Sequence, residues 1–106
     1  MLPEISAKEL AARLRSGAPP LLIDVREPFE FEYARIAGAV LKPLGQITRW
    51  AKDLGQEAEI VLLCHTGERS AQATMFLRQQ GFKQVANLRG GIDAWSVQVD
   101  PNVPRY

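Results

Sequence analysis

Apolar and polar positions along this chain follow two periods, one suited to strands and one to helices. Ile60 to Leu63 is a continuous apolar run with β-branched residues at its start, and it predicts a buried strand. Cys64 to Arg69 is a short polar loop containing Gly67, and Ser70 to Gln80 reads as a helix with Ser70 near its start and Gly81 as its stop. Leu21 to Val25 predicts a second buried strand, and Pro3 to Ile5 a short edge strand. Between those two, Ser6 and Glu9 have capping-box spacing, Leu10 and Leu14 share a helix face, and Gly17 ends the helix. Ala18-Pro19-Pro20 is a stiff connector.

Further elements follow the same logic. Pro28 opens a short helix that continues from Phe29 to Ala34. Ile36 to Leu41 is apolar around Gly38 and predicts a turn into a third strand. Pro43 begins a helix whose Leu44, Ile47, Trp50, Ala51 and Leu54 fall on one stripe, a core pattern rather than a ligand site. Lys83 to Asn87 is the last strand, and after the Gly90-Gly91 turn a short helix spans Ile92 to Val97. The tail, about 98–106, is proline-rich and expected to be extended. About five strands alternating with helices predict an α/β domain with a mostly parallel sheet and helices on both faces.

Candidate chemistry gathers where the central strand gives way to a helix. Cys64, the only cysteine, stands at that point. Backbone N–H groups at a helix start favour anions, and a loop wrapped above them can aim more N–H groups at one atom. Such surroundings favour the thiolate, which is the nucleophilic form. Arg69 adds a cation at the far end of the loop. An inert buried cysteine fits the position alone equally well. Asp24 interrupts an apolar strand and shares a face with Arg26 if both are extended, so the two are read as a structural hydrogen-bonded or ionic pair fixing nearby loops. Ligands in parallel α/β folds sit beyond the carboxyl ends of strands, where Cys64 lies.

Composition narrows the setting. The 106 residues suit one domain, and 46% hydrophobic with 24% charged residues is ordinary for a globular protein. A net charge of +1 gives no basis for a nucleic-acid or membrane surface. A lone cysteine fits a reducing compartment, and no secretory signal or spanning segment is visible, so a cytoplasmic location is expected. There is no repeat, linker or low-complexity segment.

Three segments together carry a resemblance. Cys64-His65-Thr66-Gly67-Glu68-Arg69-Ser70 resembles the active-site loop C-x-x-G-x-R-S of rhodanese-type sulfurtransferases. Asp24-Val25-Arg26-Glu27 resembles their D-V-R-E segment, and Leu88 to Trp95 their C-terminal signature L-x-G-G-x-x-A-W. The likeness spans nearly the whole chain and is greatest to single-domain members. The ending also looks like rhodanese domains fused to adenylating enzymes of sulfur-carrier pathways. One departure is Arg35-Ile36-Ala37-Gly38-Ala39 where the family often has H-I-P-G-A. Another is Glu68, an acid inside the loop, which weighs against a small dianionic donor.

The resemblance implies a single rhodanese-like domain over residues 1–106 and a thiosulfate sulfurtransferase type of enzyme. Cys64 would attack the outer sulfur of thiosulfate or a persulfide and hold it as a persulfide. Cyanide, a thiol or a protein would then take it away. His65, Thr66, Gly67, Glu68, Arg69 and Ser70 would form the substrate loop, with Asp24 and Arg26 supporting it. His65 is read as an exposed loop residue, not a general base. No metal or organic cofactor is implied, and a sulfur-carrier protein is a further partner. Two other readings remain: a rhodanese-fold binding or relay module with little activity on small donors, and a cysteine-dependent phosphatase or arsenate reductase. The latter enzymes have a loop one residue longer than the four residues, His65 to Glu68, found between Cys64 and Arg69 here.

Overall fold

The computed structural model describes residues 2–106. Strand β1 (Glu4–Ile5) leads into helix α1 (Ala7–Leu14), then β2 (Leu21–Asp24), α2 (Pro28–Tyr33) and β3 (Val40–Leu41). After these come α3 (Ile47–Trp50), β4 (Glu59–Leu63), α4 (Glu68–Gln79), β5 (Gln84–Leu88) and α5 (Gly91–Gln98). The five strands form one sheet in the order β1-β5-β4-β2-β3, with every pairing parallel. Among the described residues, no helix is long and apolar enough to cross a membrane.

Side-chain alternation in β4 divides the core. Val61 and Leu63 join Leu22, Leu88, α1 (Ala7, Leu10, Ala11) and α5 (Ile92, Trp95) on one face. Ile60, Leu62 and Cys64 join Ile23, Val85, Trp50 of α3 and α4 (Ala73, Leu77) on the other. The helices therefore cover both faces, as the alternating pattern predicts. A parallel sheet brings the carboxyl ends of β2, β4 and β5 to the same edge. That edge unites Asp24-Arg26, the Cys64 loop and the Gly90-Gly91 turn, which are remote in sequence.

Several boundaries differ from the sequence reading. The Ser6–Glu9 capping box forms, with Ser6 Oγ accepting from Glu9 N–H and Glu9 Oε1 accepting from Ser6 N–H. The helix it starts ends at Leu14, before Gly17. The stripe after Pro43 is a broken helix, with 3-10 turns at Leu44–Gln46 and Ala51–Asp53 around the single α-turn of α3. Trp50 Nε1 donates to the Pro43 carbonyl at 2.9 Å, and this bond folds the segment back on its own start. The tail is not simply extended: it turns at Asp100, whose carbonyl accepts from Val103 N–H at 3.1 Å, and it buries Val103 in the core. That turn directs Tyr106 back to the sheet edge.

Candidate active site

Cys64 follows β4 directly and is 1% exposed. Gly67 N–H donates to its Sγ at 3.1 Å, and Ser70 Oγ lies 3.3 Å from the same sulfur. Gly67 adopts φ +115°, a conformation costly for residues with a Cβ, and so turns the chain from loop to helix in one residue. Helix α4 consequently starts at Glu68, two residues earlier than the sequence pattern indicates. Glu68 and Arg69 are in its first turn rather than in the loop. Ser70 is not a cap: its hydroxyl has one hydrogen to give, and the nearest acceptor is Asn87 Oδ1 at 2.5 Å. Asn87 Nδ2 in turn donates to the Gly67 carbonyl at 3.2 Å.

The loop is held from beneath by the start of α5. Ile92 N–H donates to the Cys64 carbonyl at 2.9 Å, and Asp93 N–H to the His65 carbonyl at 3.1 Å. Both peptides are trans. The N–H groups of His65 and Thr66 therefore point the opposite way from those carbonyls, away from α5. The arrangement satisfies the loop's carbonyls on one side and keeps its N–H donors for the other. It depends on Gly91 having no side chain, because an added Cβ would meet the carbonyl oxygens of both Cys64 and His65.

Around this loop runs a chain of charged bonds. Arg26 and Asp24 are both fully buried, with Arg26 Nη2 to Asp24 Oδ2 at 2.7 Å and Nε to Oδ1 at 2.9 Å. Arg26 also donates to the Ala34 carbonyl at 2.6 Å and to Tyr106 Oη at 2.8 Å. Tyr106 Oη donates to Glu30 Oε2 at 2.7 Å. Arg69 then grips Glu30 with two parallel bonds, Nη1 to Oε1 at 2.7 Å and Nη2 to Oε2 at 2.9 Å. Asp24 and Arg26 thus fix α2 and the tail, a structural part. The charge of Arg69 is matched by Glu30, so it is not the free cation that the sequence alone indicates.

Burial and bonding are visible in the acid–base behaviour of Glu30. The Arg69 guanidinium, with smaller help from Tyr106 and the Glu27 N–H, holds its carboxyl down at about 2, against an ordinary 4.5. A lowered folded-state value means that the unfolded chain binds more protons between those limits. The resulting stability is complete above about pH 4.5 and is lost as pH falls through about 2. Arg69 is one-third exposed, so the contribution is reduced by solvent, to about 2 kcal/mol. Chemical denaturation across this acid range is expected to show a shallower loss of stability for Glu30→Gln than for the wild type. Equal slopes would remove Glu30 from the acid response.

His65 is half-buried rather than freely exposed. Its ring stacks on Tyr106 with centroids 3.9 Å apart and planes 10° from parallel, and Tyr33 meets Tyr106 edge-on. Glu68 is exposed and accepts from Thr66 Oγ1 at 2.5 Å. Three important residues are absent from the sequence reading. Asn87 has a legible sign, a polar residue in an apolar strand. Glu30 sits three residues beyond Glu27, whose N–H it accepts. Tyr106 has no local sign at all.

For Arg69→Lys the charge survives and the two-pronged contact with Glu30 does not. Activity is expected to fall about tenfold, close to the Arg69→Ala value, when sulfur-transfer rates are compared. Wild-type activity in the lysine variant would mean that charge alone matters.

Fold and site together define a parallel α/β domain that presents one cysteine at its carboxyl edge, inside a loop closed by a helix start. The family model described as "Rhodanese-like domain" matches residues 6–98, and the chain belongs to that family. The match includes all three segments that carry the resemblance. A protein of Allochromatium vinosum named "Sulfurtransferase" is 38% identical over 96 residues, covering 91% of this chain and 90% of its own length. The Arabidopsis thaliana "Rhodanese-like/PpiC domain-containing protein 12, chloroplastic" is 47% identical over 97% of this chain. Among solved structures, a rhodanese-related protein of Thermoplasma volcanium superposes with a TM-score of 0.81 at 29% identity, covering 96% of this chain and 95% of that one. The chain spans 37% of the Arabidopsis relative and 26% of a matching probable adenylyltransferase/sulfurtransferase of Mycobacterium tuberculosis, so it corresponds to one domain of those proteins.

Proposed function

We propose that this domain transfers a sulfane sulfur through a persulfide on Cys64. The observation that carries the proposal is the Gly67 N–H donated to Sγ at 3.1 Å, in a loop whose carbonyls are bound away by α5. In the first step the Cys64 thiolate attacks the outer sulfur of thiosulfate or a persulfide, the old S–S bond breaks, and sulfite or a thiolate leaves. In the second, cyanide, a thiol or a protein acceptor attacks the outer sulfur and restores Cys64. The Gly67 N–H at the sulfur stabilises the negative charge of the bound persulfide and of the transfer step. Arg69 acts through Glu30 to hold α4 and α2 together at the loop, rather than by capturing the donor.

Other features support a sulfur cargo. Cys64 is nearly inaccessible, which suits approach by a slender sulfur chain more than by a tetrahedral phosphate. The cycle needs no metal or organic cofactor, since the cysteine carries the cargo. A protein acceptor is a natural partner, because a relative in Bacillus subtilis is named "Putative sulfur carrier protein YrkF". The free thiol suits a reducing compartment such as the cytoplasm.

The test separates the two half-reactions. Protein exposed to donor and then freed of it by gel filtration is expected to yield one thiocyanate per chain when cyanide is added. Release of none, with the donor's sulfur unconsumed, would refute covalent carriage.

A further inference from the structure

The charges around the loop balance in pairs. Arg26 faces Asp24, Arg69 faces Glu30, and Arg105 faces Asp93, whose N–H holds the His65 carbonyl. Glu68 stands outside this balance. It is next to Gly67, the residue that donates to Sγ, and its carboxylate is bonded to Thr66 of the loop. Among the described residues, no cation is bonded to it. Glu68 therefore places beside the loop a carboxylate with no cation paired to it. A dianion approaching it is repelled about twice as strongly as a monoanion at equal distance.

Beside the loop lies an apolar surface. Phe29, Tyr33 and Tyr106 are 73%, 59% and 45% exposed, and with Glu30 they line one shallow depression. Tyr106, which lines it, stacks on His65, the neighbour of the thiol. Inorganic thiosulfate has nothing to place there, whereas an organic donor has its R group.

We infer that the site selects a small organic persulfide of low charge, with an apolar R group against Phe29, Tyr33 and Tyr106, over an inorganic dianion. The inference rests on the sulfur-transfer reading above. In the step, the Cys64 thiolate attacks the outer sulfur of R–S–SH. One S–S bond forms as the other breaks, the outer sulfur keeps its hydrogen on Cys64, and R–S⁻ leaves to take a proton from water. No outside oxidant or reductant is consumed.

Thiosulfonates provide stable probes, because they offer the same outer sulfur with one negative charge and release a sulfinate. Rates of thiocyanate formation are compared for thiosulfate, methanethiosulfonate and benzenethiosulfonate at low and high salt. Glu68→Gln is expected to raise kcat/KM for thiosulfate about three- to fivefold at low salt, to change the monoanions less, and to lose the difference at high salt. Phe29→Ala is expected to lower kcat/KM about threefold for benzenethiosulfonate and to lower it less for methanethiosulfonate, whose R group is smaller. Thiosulfate indifferent to Glu68→Gln, or benzenethiosulfonate indifferent to Phe29→Ala, would overturn the inference while leaving sulfur transfer in place. Failure of every donor to load sulfur on the wild type would instead overturn the sulfur-transfer reading, and this inference with it.

Discussion

Cys64→Ser is expected to keep its fold and lose sulfur transfer altogether, by about a thousandfold or more in turnover. Serine fits the space, and its hydroxyl can accept the Gly67 N–H and meet Ser70, so the buried group remains bonded. An oxygen there cannot carry sulfane sulfur as a persulfide, and its high intrinsic pKa denies it the anionic form at neutral pH. Circular dichroism and denaturant midpoints measure the fold, and thiocyanate formation measures the chemistry. A variant that folds like the wild type and turns over at a comparable rate would remove the covalent intermediate from the mechanism.

Gly91→Ala is expected to disable the site without touching the nucleophile. The residue has φ +62°, where a Cβ is strained, and that Cβ would lie 2.5 Å from the Cys64 carbonyl oxygen and also against the His65 carbonyl. Backbone cannot yield as a flexible side chain can, so either α5 or the loop must move. We expect a stability loss of about 2–4 kcal/mol and a fall in kcat of about a hundredfold, because small displacements of reacting groups are costly. Gly38→Ala is the matched control. It has φ +88° with nothing near the added Cβ, so it isolates backbone strain from collision. It is expected to cost about 1 kcal/mol and leave kcat unchanged. Equal behaviour of the two variants in denaturation and turnover would show that the α5 contact does not shape the loop.

Neighbouring glycines illustrate what local sequence conveys. The Gly90-Gly91 pair marks a close backbone approach, and the structure supplies the neighbour, the Cys64 loop. The strand–loop–helix around Cys64 was legible because its apolar run and glycine are contiguous. The sequence pattern places the start of α4 two residues late, because Gly67 itself caps the helix at positive φ and an acid in the first turn suits the helix dipole. The helix after Pro43 has the right stripe, but periodicity does not register the bond from Trp50 to the Pro43 carbonyl that breaks it.

Long-range bonds were not legible. Arg69 and Glu30 are 39 positions apart, and Tyr106 reaches Glu30 across 76. Their meeting depends on the order of parallel strands, which brings α2, α4 and the tail to one edge. The sequence shows Arg69 as a cation at the far end of the loop, and the fold supplies the carboxylate that pairs with it. Asp24 and Arg26 are easier, since an acid in an apolar strand and a base two residues on, just past its end, have few partners other than each other.

The central claim is that Cys64 bears the transferred sulfur, and mass spectrometry of the intact protein with peptide mapping measures it directly. After brief exposure to a thiosulfonate or persulfide donor, the chain should gain the mass of one sulfur atom. The gain should map to the peptide containing Cys64 and disappear on addition of cyanide. An unchanged mass in protein that is turning over donor, or sulfur mapped to any other residue, would contradict the account.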